Sequence, residues 1–166
     1  MPKTKRRKQF AALPFRAGAD GVEVLLVTSR DTGRWVIPKG WPMKNRRPHR
    51  AAAIEAYEEA GVVGKADKTS LGTFDYEKRT ETGGIACRVA VFPLPVSHLL
   101  DEWPESAERR RCWHTAAEAS ELVEEPELQA ILRAFARRAE KQPAGRGGSA
   151  KAAKLAKEER SASRAE

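Results

Sequence analysis

The sequence predicts an α/β fold, and three observations point there. A stretch from Pro48 to Gly61 carries helix signals at both ends. Before it lie short apolar runs separated by turn residues. After it come three further strand-like runs and then two segments that begin like helices. Strands on both sides of one helix, with helices closing the chain, suit a sheet covered by helices rather than a bundle or a sandwich of sheets.

The helix 48–60 organises the rest. Pro48 suits a first helical position, where its missing N–H is no loss. Ala51, Ala52 and Ala53 are strong helix formers, and Gly61 is a C-terminal stop. At about 100° per residue, Glu55 and Glu59 lie about 40° apart and Glu58 about 60° to the other side of Glu55. The three carboxylates therefore share one face. Like charges at these spacings repel, and near a helix C-terminus the dipole disfavours anions. Two readings fit: a solvated acidic face, or a site for a hard divalent cation such as Mg²⁺, which takes oxygen ligands and keeps waters.

The preceding loop is basic. Lys39, Lys44, Arg46, Arg47, His49 and Arg50 fall within residues 39–50 without an acid. This is either a solvated charge run or a cradle for an anionic substrate, with Arg gripping phosphate in a bidentate way. His49 is read as a surface residue near the helix start.

Around this centre the elements follow in order. Residues 1–9 read as a basic flexible arm, 10–140 as the folded domain, and 141–166 as a basic low-complexity tail expected to be disordered. Phe10–Phe15 is the first strand, with Pro14 suggesting an edge or a bulge. Gly18–Gly21 turns into the strand Val22–Thr28, making a hairpin. A short strand, 34–37, leads through Pro38 into the loop at Gly40. Leu71–Glu77 and Ile85–Leu94 are strands joined by a loop over 78–84. Arg88 in the second either reaches a phosphate or leaves at a sheet edge. A last strand runs over Arg109–Trp113. Thr115 and Glu118 form a capping box, so a helix starts at Ala116. Pro126 opens the final helix, with Leu128, Ile131, Leu132 and Phe135 at helical spacing.

Composition excludes several classes. No apolar run approaches 18 residues, so no membrane span is expected. No apolar segment follows the N-terminal basic patch, so no signal peptide is read and a cytoplasmic protein is expected. Cys87 and Cys112 are too few for a disulfide framework. The net charge of +8 belongs to the ends. Lys3, Lys5, Arg6, Arg7 and Lys8 give +5, residues 141–166 give +4, and 11–140 come to −1. Basic tails either hold nucleic acid non-specifically or keep the chain soluble.

From Gly40 to Val62 the sequence resembles the Nudix box, G-x5-E-x7-R-E-U-x-E-E-x-G-U, with U aliphatic. Gly40, Glu55, Ala56, Glu58, Glu59, Gly61 and Val62 stand in register. Arg46 stands where the box has Glu, and Ile54 where it has Arg. An Arg–Glu pair there would brace loop against helix, and losing both leaves no orphaned charge. The segments FAALPFR, VEVLLVTSRDTGRWVIPKG and LDEWPESAERRRCWHTAAEASELV extend the resemblance to the diphosphoinositol polyphosphate phosphohydrolase branch, although Lys39 replaces a glycine of that branch. The resemblance implies an α/β/α sandwich with a mixed sheet. It implies an enzyme hydrolysing a diphosphate in a phosphorylated small molecule with Mg²⁺ or Mn²⁺, the substrate of that branch being a diphosphoinositol polyphosphate or a diadenosine polyphosphate. Glu55, Glu58, Glu59 and the Gly40 carbonyl would hold the metal. Glu58 or Glu59 would take the proton of the attacking water, and in some relatives a later acid does so, for which Glu77, Glu81, Asp101, Glu102 and Glu105 are available. Lys39, Lys44, Arg46 and Arg88 are the candidate substrate contacts. Trp41, Tyr76 or Trp103 either stack a base or pack. The alternatives are hydrolysis of ADP-ribose, a nucleoside triphosphate or an RNA 5′ end, and a ligand-binding regulator without turnover.

Overall fold

The computed structural model describes residues 5–141. Eight strands make one mixed sheet: β1 (Arg7–Gly18), β2 (Gly21–Thr28), β3 (Trp35–Val36), β4 (Lys39–Gly40), β5 (Val62–Gly64), β6 (Gly72–Thr80), β7 (Gly83–Leu99) and β8 (Arg111–Thr115). Three helices, α1 (Pro48–Ala60), α2 (Ala116–Leu122) and α3 (Pro126–Lys141), complete the described chain.

β1 is the central strand. It pairs antiparallel with β4 and then β2 on one side and parallel with β7 on the other. β7 also pairs with β6 and β5, and β2 with β3 and β8. Because successive side chains point to opposite faces, the buried strands feed two cores. Leu13, Val24, Leu26, Val89 and Val91 pack against Ala119, Leu128 and Leu132 of α2 and α3. Ala12, Leu25, Val27, Phe92 and Leu94 pack against Ala52, Ala56 and Ala60 of α1. The result is the expected α/β/α sandwich. Alanine on the buried face of α1 lets its backbone approach the sheet closely, which brings Glu55 and Glu59 against the strand ends.

Three expectations change. Pro14 lies inside the central strand, not at an edge. Its neighbour Ala12 donates its N–H to the Pro38 carbonyl (3.0 Å), and pairing with β2 begins only at Phe15. Pro14 therefore sits where β1 changes partner from β4 to β2, and its missing N–H interrupts no ladder there. The arm is shorter than 1–9. Arg7, Lys8 and Gln9 pair with Cys87, Arg88 and Val89, and the Gln9 amide oxygen accepts from the Tyr76 hydroxyl at 2.6 Å. The loop expected over 78–84 is a two-residue turn, since β6 runs to Thr80 and β7 starts at Gly83. The tail after Lys141 lies outside the described residues.

Both helix-end expectations hold. Gly61 takes φ 67° and its N–H bonds back to Tyr57 at 3.0 Å. Thr115 accepts the Glu118 N–H at 3.1 Å, and its hydroxyl donates to the Glu118 carboxylate.

Candidate active site

The last turn of α1 leaves backbone carbonyls that need donors. The loop between β7 and β8 supplies them. Glu105 N–H donates to the Glu58 carbonyl (3.0 Å) and Leu100 N–H to that of Gly61 (2.9 Å). The Trp103 indole donates to the Glu59 carbonyl (2.8 Å). Arg111 donates to Ala60 (2.8 Å) and Leu100 (2.6 Å), with its guanidinium 4.0 Å from the Trp103 ring centroid. The end of the Glu-bearing helix is thus bound to one loop, and a cation sits where the helix dipole is negative. Trp103 has this bracing role rather than a face open for stacking.

The same loop builds one wall of a cleft of about 240 Å³. Glu55 and Glu59 form its floor, with Lys39 and Gly40 of β4 beside them. Glu105 and Arg109 line one side, and Trp41, Tyr76, Lys78 and the exposed Arg30, paired with Glu108 at 3.3 Å, also line the cleft. Arg109 bonds Glu105 (2.8 Å), approaches Glu59 (3.7 Å) and donates to the Thr28 carbonyl (3.0 Å). Arg7 lies over the Trp41 ring at 4.7 Å and Lys78 at 5.9 Å from its centroid. Lys39 stands 5.0 Å from the Tyr76 ring centroid.

The floor is electrostatically loaded. Burial, then the Glu59 carboxylate beside it, pushes Glu55 up to about 8, with Glu58 and Glu105 adding to the effect. Burial also raises Glu59, against the pull of Arg109 and Lys39. The two carboxylates lie close enough to be coupled, and such a pair titrates as a unit. Burial lowers Lys39, opposed by Glu59 and Glu125.

A divalent cation fits this floor. Its donors are hard oxygens, it would offset the charge of the two adjacent carboxylates, and Gly40 presses so close that a Cβ there would collide with the Glu55 carboxyl group. Among the described residues no three His, Cys, Asp or Glu side chains are gathered closely enough to enclose an ion by themselves. Glu58, half-buried on α1, is outside the cleft lining.

The basic candidates separate. Lys39 is in the cleft. Lys44 is an exposed loop residue. Arg46 lines a different cavity, beside α1. Arg88 is exposed and held by Asp75 in two bonds of 2.8 and 3.1 Å, because Asp75 is its cross-strand partner. Arg30, Arg109 and Lys78 are the cleft cations that reading the sequence missed. Arg109 and Arg30 had one visible signal, the acidic loop between them in space. Of the later acids considered, Glu105 alone lines the cleft.

No protein-family model matches the chain. Over 136 residues, 80% of this chain and 67% of the relative, it is 34% identical to Nudix hydrolase 21, chloroplastic, of Arabidopsis thaliana. Over 120 residues, 71% of this chain and 70% of the relative, it is 33% identical to diphosphoinositol polyphosphate phosphohydrolase 3-alpha of Mus musculus. A C. elegans Ap4A hydrolase, solved as a binary complex, shares the fold with a TM-score of 0.58 at 19% identity, covering 78% of this chain and 94% of that one. No described helix is long and apolar enough to cross a membrane. Sequence identity, shared fold and the register of Gly40, Glu55, Glu58, Glu59 and Gly61 agree: the chain belongs to the Nudix hydrolase family, enzymes that hydrolyse phosphoanhydride bonds.

Proposed function

We propose that the chain is a Mg²⁺-dependent diphosphohydrolase, with Mn²⁺ able to replace Mg²⁺, that cleaves a phosphoanhydride in a diadenosine polyphosphate or a diphosphoinositol polyphosphate. One observation carries the reading: the buried Glu59 and the half-buried Glu55 beside it share a cleft with Lys39, Lys78, Arg30 and Arg109. Similarity to a diphosphoinositol polyphosphate phosphohydrolase supports the substrate class.

Glu55, Glu59 and the Gly40 carbonyl would hold the cation, with Glu58 turned in from the adjacent position on α1. When bound, the ion would acidify a water and neutralise diphosphate oxygens. Lys39 and Lys78 bind phosphate oxygens on one side of the cleft. Arg30 binds them at the mouth. Glu59, fixed by Arg109 and by the backbone latch to Trp103, accepts the proton of the attacking water, with Glu105 and Glu58 as the competing acceptors. Arg109 keeps Glu59 and Glu105 apart and excludes a second cation from that wall.

Phosphate or AMP release should be measured with Mg²⁺ against diadenosine polyphosphates, diphosphoinositols, ADP-ribose, nucleoside triphosphates and 5′-triphosphate RNA. The highest kcat/KM is expected for one of the first two. A preference for ADP-ribose, a triphosphate or RNA overturns the substrate class. Binding without turnover of any member would make the chain a ligand-binding regulator. Arg46 and Ile54, which motivate that alternative, lie outside the cleft lining.

A further inference from the structure

A second cavity, of about 620 Å³, opens beside α1 and is separate from the cleft. Arg46, His49, Arg50, Lys65 and Lys68 line it, and no acid does. None of these five forms a side-chain ion pair or hydrogen bond among the described residues. The acid nearest them in sequence, Asp67, accepts the Thr69 N–H at 2.9 Å. The remaining wall is apolar, from Ile54, Val63 and the ring of Tyr57, which is 44% exposed.

The start of α1 reinforces the charge. Arg47 is the N-cap and makes no side-chain cap, and the first turn contains no acid. His49 and Arg50 occupy that turn instead. Cations at a helix N-terminus are disfavoured by the dipole, whereas an anion there is favoured. Both departures from the Nudix box, Arg46 and Ile54, line this cavity. Where a Glu and an Arg would pair across it, the chain has a cation without an ion-pair partner among the described residues and an apolar surface.

We propose that this cavity binds a nucleoside diphosphate or triphosphate, separately from the substrate in the cleft. The four Arg and Lys side chains meet the phosphates, with Arg46 and Arg50 suited to bidentate contacts. Tyr57 and Ile54 meet the base, a flat apolar group. The volume is within the range of small-molecule sites. An apolar wall facing a cationic one is matched by a ligand that is apolar at one end and polyanionic at the other.

Binding of ADP and ATP to the full chain should be titrated by calorimetry in EDTA, where the cleft floor holds carboxylates without a cation and repels phosphate. ATP is expected to bind at one site, more tightly than either tripolyphosphate or adenosine. Arg46→Glu together with Ile54→Arg, which places an ion pair in the cavity, should weaken ATP by about tenfold or more, the worth of one charge-assisted bond. Tyr57→Ser, a change on an exposed position that spares the fold if the pair of substitutions does not, should weaken ATP and leave tripolyphosphate unchanged. Lys39→Ala in the cleft should leave both unchanged. The proposal is overturned if ATP does not bind, or if tripolyphosphate binds as tightly as ATP. It is equally overturned if Lys39→Ala removes binding, or if the Arg46 and Ile54 variant binds like the parent.

Discussion

Replacing Trp103 by Phe tests whether the β7–β8 loop holds the catalytic helix in place. The change removes one donor, the indole N–H that meets the Glu59 carbonyl at 2.8 Å, and keeps an aromatic face for Arg111. Glu59 is 6% exposed, so water cannot readily replace the donor. A buried carbonyl left unpaired costs about 1–3 kcal/mol. For a domain of this size that corresponds to a fall in Tm of roughly 3–8 °C. The carbonyl and the carboxylate belong to the same residue, so loosening the last turn also misplaces the Glu59 carboxylate. A drop of about tenfold in kcat/KM should accompany the loss of stability, since small misplacements of reacting groups are costly. Thermal melts in EDTA and single-substrate kinetics measure the two effects. An unchanged Tm together with unchanged kcat/KM would refute the reasoning, because it would mean that the latch neither stabilises nor positions the helix.

Glu59→Gln should reduce turnover by at least about a hundredfold while the Tm in EDTA stays level or rises, because one of two adjacent, partly desolvated carboxyl groups can then no longer carry charge; near-parental hydrolysis would remove Glu59 from the site. Lys39→Ala should cost about ten- to a hundredfold in kcat/KM, the worth of a charge-assisted phosphate contact, whereas Arg88→Ala should stay within about twofold; a larger loss for Arg88 would place substrate on the outer strand. The Glu125 carboxyl is raised by burial but lowered overall by its two bonds to Arg34 (3.2 and 2.9 Å) and its own backbone N–H. A depressed folded value means that the pair's stabilisation is complete above the unfolded carboxyl value of about 4.3. It is lost as pH falls through the folded value. Melts of the parent should therefore decline more steeply below about pH 4.5 than those of Glu125→Gln, and parallel curves would count against the pair.

The parts of the fold set by local rules were legible in the sequence. Pro48, Gly61, Thr115 and Pro126 mark helix ends because each satisfies a backbone requirement that does not depend on the rest of the chain. The Glu55–Glu59 face follows from helical spacing alone. What escaped depends on pairing between distant strands. Pro14 reads as an edge residue unless the change of partner from β4 to β2 is known. Arg88 reads as a free cation unless Asp75 is known to lie opposite. The cleft cations Arg30, Lys78 and Arg109 come from three separate segments, and no spacing in the sequence brings them together. Arg46 shows the converse: it is close to Glu55 in the chain, yet it lines the other cavity.

The latch at the end of α1 divides the cleft into two kinds of wall. Glu59, Glu105 and Arg109 are tied together by the loop that holds the end of the helix. Trp41, Tyr76 and Lys78 stand on β4's exit and on the β6 strand, with no hydrogen bond or ion pair to that loop among the described residues. Selection can therefore redraw the second wall, residue by residue, without disturbing the carboxylates. A lineage built on this scaffold would change its substrate through Trp41, Tyr76 and Lys78 and keep its chemistry, and grafting those positions between relatives would carry specificity across while the reaction stays the same.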